Sequence, residues 1–102
     1  MEDKYISRMK SKDLDDLFKA ILALESEEEC YRFFDDLCTI PELKSIAQRW
    51  IVAKELDAGT TYQEICQITK ASTATISRVN RALSYGSGGG YQMMLKKLKK
   101  DQ

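Results

Sequence analysis

Apolar residues recur at helical spacing along most of the chain. Leu14, Leu17, Phe18, Ile21 and Leu22 fall at i, i+3, i+4, i+7 and i+8, which predicts an amphipathic helix starting near Asp13. Cys30, Phe33, Phe34, Leu37 and Cys38 form a second stripe, with Tyr31 adjacent. Ser26 and Glu29 stand at capping-box spacing before it. Thr39 and Glu42 repeat that spacing, and Pro41 falls in the first turn, where its missing N–H costs nothing. The third helix is predicted to run to about Ala58 and to stop at Gly59. Its inner stripe is Leu43, Ile46, Ala47, Trp50 and Ala53, with Ile51 and Leu56 adding apolar surface. Two short helices follow, Tyr62 to Ile68 and Ser72 to Ser84, with Thr69, Lys70 and Ala71 at the corner between them. Tyr85 to Gly90 reads as a flexible joint, because four glycines in five positions cannot hold a helix. Residues 91–100 predict a last helix with Met94, Leu95 and Leu98 on one side and lysines elsewhere. Residues 1–11 are polar and expected to fray. No alternating strand pattern competes and no internal repeat is visible. The chain is expected to be all-α, with five to six helices.

The pair between Thr60 and Leu83 has the form of a helix-turn-helix. Ser72 caps the second helix by accepting a hydrogen bond from a free backbone N–H. Ile76, Val79 and Leu83 share its inner face, while Ala74, Ser77, Arg78 and Arg81 share the outer one. Small residues in the first turns let a helix backbone press into the major groove. Thr73, Ala74 and Ser77 are therefore the candidate base-edge contacts, and Thr75 caps or packs at the flank. Lys70 is placed for phosphate, Gln63 for phosphate or base, and Arg78 and Arg81 for guanine or phosphate. Short amphipathic helix pairs also occur in all-α proteins that bind no DNA. What favours DNA is the absence of any acid from Lys70 to Tyr85, since a merely solvated face mixes both signs.

Length and composition narrow the picture further. A chain of 102 residues with 43% hydrophobic and 31% charged content is one folded domain's worth. MEDKYISRMK lacks the apolar stretch of a secretion signal, and no run is long enough to span a membrane. Cys30, Cys38 and Cys66 are odd in number and lack metal spacing. With no histidine in the chain they read as small core residues of a protein in the reducing cytoplasm, with no metal site. The absence of histidine, of a glycine-rich phosphate loop after a strand, and of any nucleophile paired with a base argues against an enzyme. Asp35 and Asp36 are neighbours on a helix and face different ways. The net charge is zero but polarised. Residues 1–40 carry 11 acids and 6 bases, whereas residues 41–102 carry 5 acids and 10 bases, four of those bases being Lys96, Lys97, Lys99 and Lys100. This layout suits a basic surface for nucleic acid on an otherwise acidic body.

The run STATATISRVNRAL, with TYQEI upstream and Ala47-Gln48-Arg49-Trp50 in the preceding helix, resembles the tryptophan-repressor superfamily. Within it the YerC/YecD-type small bacterial regulators are most similar. The similarity extends from about Leu14 to Tyr91, and Ala74–Arg78 is its most specific part. It implies a single domain over residues 1–102 that acts as a transcriptional regulator. The expected partner is a palindromic double-stranded DNA operator, bound by an intertwined homodimer with no membrane association. Residues 13–58 are expected to serve mainly in dimerisation, 60–84 as the helix-turn-helix, 85–90 as the joint, and 91–102 as a basic C-terminal helix or tail. Twofold symmetry also follows from DNA geometry, since paired recognition helices reach major grooves about 34 Å apart and multiply specificity. Repression is preferred to activation because a small domain can block a promoter simply by occupying it.

The resemblance also implies an effector site. Arg49 and Arg78 match the two arginines that flank the ligand ring of the tryptophan repressor, and Thr39 matches a threonine near the ligand. Surface salt bridges from the arginines to Glu55 or Glu42 are the plainer reading. Val79 stands where the repressor has glycine beside the indole, and added methyl groups there are expected to exclude tryptophan. No cofactor is expected beyond a small-molecule co-repressor of unknown identity. Lys70 stands where the family's turn has glycine, so a positive φ there is expected at a cost of roughly 1 kcal/mol. Two other functions fit parts of the pattern. One is the DNA-docking module of a transposase or replication initiator, and the other is a helical adaptor that binds protein through Met93 and Met94.

Overall fold

The computed structural model describes residues 5–86 and 88–100. It contains six helices and, among the described residues, no strand: α1 (Lys12–Leu22), α2 (Glu27–Leu37), α3 (Ile40–Asp57), α4 (Tyr62–Thr69), α5 (Thr73–Tyr85) and α6 (Gly90–Lys100). The chain divides into two compact units, Met1–Ile40 and Pro41–Gln102. That boundary coincides with the change in charge sign along the sequence.

In the first unit the helix starts follow local chemistry. Ser11 caps α1, its hydroxyl accepting from the Leu14 N–H, and Asp13 and Asp15 sit at the positive end of the helix. Ser26 caps α2 by accepting from the Glu29 N–H at 3.1 Å. The reciprocal arm of the capping box is displaced by one residue, because the Glu29 carboxylate accepts from the Glu25 N–H at 2.8 Å. Phe33 and Phe34 meet edge to face at 5.6 Å. Neither helix contains a buried residue. Phe18, Leu22, Tyr31, Leu37 and Ile40 are exposed in the single chain, and so is Cys30, which is therefore not the core residue expected. A two-helix unit has too little mass to enclose its own stripes.

The second unit holds the core. Val52 and Ala53 of α3, Ile65 of α4, Ala71 of the turn, and Ile76 and Val79 of α5 form one buried cluster, with Trp50, Leu56, Cys66 and Tyr91 packed against it. The inner face of α3 is rotated from the expected stripe. Val52 is fully buried, while Ile46 is 45% exposed and Ala47 is also exposed. The helix is apolar on more than one side, so periodicity alone did not specify which side meets the core. α3 ends in a Schellman motif, with the Gly59 N–H bonded to the Leu56 carbonyl, the Thr60 N–H to the Glu55 carbonyl, and Gly59 at φ +85°.

The glycine-rich segment is shorter as a break than the sequence suggested. Tyr85 completes α5, Gly86 is its C-cap, Gly89 takes φ +62°, and α6 starts at Gly90. Ser87 lies outside the described residues. α6 packs back onto the unit as a true helix. Leu95 is buried, Tyr91 stacks on Trp50 with centroids 6.4 Å apart, and Lys99 donates to Asp57 at 2.7 Å. Met94 and Leu98 stay largely exposed. No helix is long and apolar enough among the described residues to cross a membrane.

Candidate nucleic-acid interface

The helix-turn-helix is built as its sequence dictates. Thr61 caps α4 by accepting from the Glu64 N–H. At the other end Lys70 takes φ 63° and ψ 13°, the left-handed conformation expected there, and its N–H bonds to the Cys66 carbonyl at 2.9 Å. The Thr69 hydroxyl donates to the Ile65 carbonyl at 2.7 Å and accepts from the Ala71 N–H at 3.1 Å. Ala71 is only 5% exposed, so the corner is part of the core, a role the sequence reading did not give it. Ser72 then caps α5, accepting from the Thr75 N–H and donating to the Thr75 hydroxyl, each at 3.1 Å. That hydroxyl pair occupies Ser72 and places half-buried Thr75 at the flank of the helix.

α5 is two-faced. Ile76 and Val79 are essentially inaccessible and Leu83 is half-buried, which fixes the helix against α3 and α4. Thr73, Ala74, Ser77, Arg78 and Arg81 are all exposed, as are Lys70 and Gln63 nearby. Burying one face therefore sets the azimuth of the other, and the exposed face contains hydroxyls, a methyl and two guanidinium groups with no carboxylate.

Beside the first turns of α5 lies a cleft of about 260 Å³ lined by Ser45, Gln48 and Arg49 of α3 and by Ala74, Thr75 and Arg78 of α5. It brings together the two arginines singled out from the sequence. Glu55, one of the carboxylates proposed to pair with them, accepts instead from the Thr60 hydroxyl at 2.8 Å. Val79 is not a wall of this cleft. At 1% exposure it is packed into the core. Thr39 belongs to the first unit, at the residue just before α3. Gln48 lines the cleft as well, a placement not read from the sequence. Its amide donates to the Thr69 carbonyl at 3.0 Å, across 21 positions of sequence, and no local pattern signals such a contact.

Comparison with known proteins agrees with this geometry. A family model described as Trp repressor protein matches residues 12–99. YerC of Bacillus subtilis strain 168, an uncharacterized protein, is 54% identical over 97 residues, covering 95% of this chain and 92% of its own. A Staphylococcus aureus crystal structure provisionally assigned as a Trp repressor superposes with a TM-score of 0.84 at 51% identity, covering 90% of this chain and 91% of that one. A TrpR-like protein from Eubacterium eligens ATCC 27750 gives 0.85 at 48% identity, covering 90% of this chain and 94% of the other. With six helices in this order and a helix-turn-helix packed on α3, the chain belongs to the Trp repressor protein family.

Proposed function

We propose that this protein is a sequence-specific double-stranded DNA-binding transcriptional repressor that reads a palindromic operator as a homodimer. The coarser part, a DNA-binding regulator, follows from the family. The observation that carries the finer reading is the polarity of α5, where Ile76 and Val79 are locked into the core and an acid-free row of Thr73, Ala74, Ser77, Arg78 and Arg81 faces outward. In this reading Thr73, Ala74 and Ser77 meet base edges, and Lys70, Arg78 and Arg81 hold phosphates, with Gln63 contributing from α4. Ser72 acts through its cap.

The dimer reading is supported by α1 and α2, which carry four large apolar side chains exposed in the single chain, Phe18, Leu22, Tyr31 and Leu37, and bury none. Covering each such side chain is worth about 1.5–3 kcal/mol, and a second copy supplies the covering surface. Sedimentation at micromolar concentration is expected to give a dimer, and a stable folded monomer would count against it. The cleft between Arg49 and Arg78 supports modulation by a small metabolite other than tryptophan. Its walls offer two positive charges, hydroxyls and an amide, with Ala74 as their one apolar side chain, which suits a compact anion better than an indole. Micromolar tryptophan affinity by calorimetry would overturn that part.

Selecting bound duplexes from a random pool tests the central reading. A palindromic consensus is expected. A gel shift on genomic fragments over a salt series that showed no sequence dependence would favour the adaptor alternative.

A further inference from the structure

We infer that Gln48 is a positioning residue for DNA reading, acting as a latch between α3 and the turn of the helix-turn-helix. This inference rests on the DNA-reading function proposed above. The last carbonyls of any helix lack intrahelical partners. In α4 one of them, that of Thr69, is taken by the Gln48 amide at 3.0 Å in a half-buried setting. The neighbouring polar groups of the corner satisfy one another locally. The Thr69 hydroxyl bridges Ile65 and Ala71, and the Lys70 N–H is held by Cys66. The Gln48 bond is different in kind, because it fixes the corner to an element outside the motif.

Thr69 precedes Ser72, the cap of α5, by three residues, so a shift of its carbonyl passes directly to the start of the recognition helix. The core contacts at Ala71, Ile76 and Val79 hold the corner and set the azimuth of α5, and the Gln48 bond adds a directional polar tie at the end of α4. Gln48 also lines the Arg49–Arg78 cleft, together with Ala74 and Thr75. A group occupying that cleft meets the same side chain that holds the turn, which gives the cleft a mechanical route to the reading face without contact with DNA.

The test replaces Gln48 by Met, which keeps the length and the helix propensity and removes the donor. Affinity is measured by fluorescence anisotropy on a pool-selected operator and on a scrambled duplex, across a salt series. Losing one net hydrogen bond predicts roughly a two- to tenfold weaker operator complex, with the scrambled duplex and the salt slope unchanged. Gln48→Lys restores a donor of sufficient reach and is expected to recover the wild-type ratio between the two duplexes. Equal losses on both duplexes would make Gln48 a direct, sequence-independent backbone contact and overturn the latch. Unchanged operator preference in Gln48→Met overturns it as well, while leaving DNA reading intact. A wild-type protein that itself fails to distinguish the duplexes removes the DNA-reading function and the latch with it. Should Gln48→Met not fold, the Lys variant decides alone, and loss of its operator preference refutes the inference.

Discussion

Lys70 puts strain and charge in one residue, so replacing it separates two effects that usually travel together. Its φ of 63° lies in the left-handed region, where a β-carbon costs about 1–2 kcal/mol. Glycine removes that cost but loses roughly 0.5–1 kcal/mol more conformational entropy on folding. The net expectation for Lys70→Gly is a gain of about 0–1.5 kcal/mol per protomer, and each 1 kcal/mol raises the melting temperature by about 4–8 °C in a domain of this size. The same substitution deletes the ammonium group proposed to hold a phosphate. Each lost contact lowers the salt slope of DNA binding by about 0.9, and a symmetric dimer loses two. Between 50 and 200 mM salt the wild-type affinity should then fall about twelvefold more than the variant's. Calorimetry and anisotropy titrations over that range measure both. Lys70→Met is the control, since it keeps the strained backbone and removes only the charge. It should reproduce the slope without the thermal gain. A variant with higher melting temperature and an unchanged slope would refute the phosphate role. A lower melting temperature in Lys70→Gly would show that the lysine stem supplies packing that outweighs its backbone strain.

Ser77→Ala and Thr73→Ala should weaken operator binding more than nonspecific binding, by about 1 kcal/mol each, because a lost base-edge bond affects only the matched sequence. Equal losses on both DNAs in a gel shift would remove these residues from base reading. Ile65 is fully buried where α4 meets the core, so Ile65→Ala should cost about 2–5 kcal/mol in denaturant unfolding. A cost under 1 kcal/mol would mean that the site collapses around the smaller side chain. Trp50 is the single tryptophan of the chain and stacks on Tyr91 of α6. Tyr91→Ala should therefore shift its fluorescence to the red as water reaches the indole, and an unmoved spectrum would place the docking of α6 on Leu95 and Lys99 instead.

The sequence by itself determined the elements that rest on local chemistry. Ser26, Thr61 and Ser72 accept hydrogen bonds from N–H groups three residues ahead, Gly59 terminates α3, and the turn takes its left-handed residue at Lys70. Each of these depends on a few consecutive residues, and the 3.6-residue period adds which face of α5 is apolar. The exposed, acid-free face proposed to read DNA was legible for the same reason, because Ile76 and Val79 point one way and that row points the other.

Only the tertiary structure decided what lies between elements distant in sequence. α3 is apolar around much of its circumference, so its period did not reveal that Val52 is buried while Ile46 and Ala47 are exposed. That Val79 joins Val52, Ile65 and Ile76 in one buried cluster was likewise settled only by packing. The glycines after Tyr85 suggested a flexible joint before the last helix, and only the stacking of Tyr91 on Trp50 and the burial of Leu95 show that α6 packs back onto the unit. The Gln48–Thr69 bond and the cleft beside it exist because folding brings α3 against the corner of the helix-turn-helix. Local patterns record which face of a helix avoids water. Which partner supplies the cover depends on packing across the whole chain.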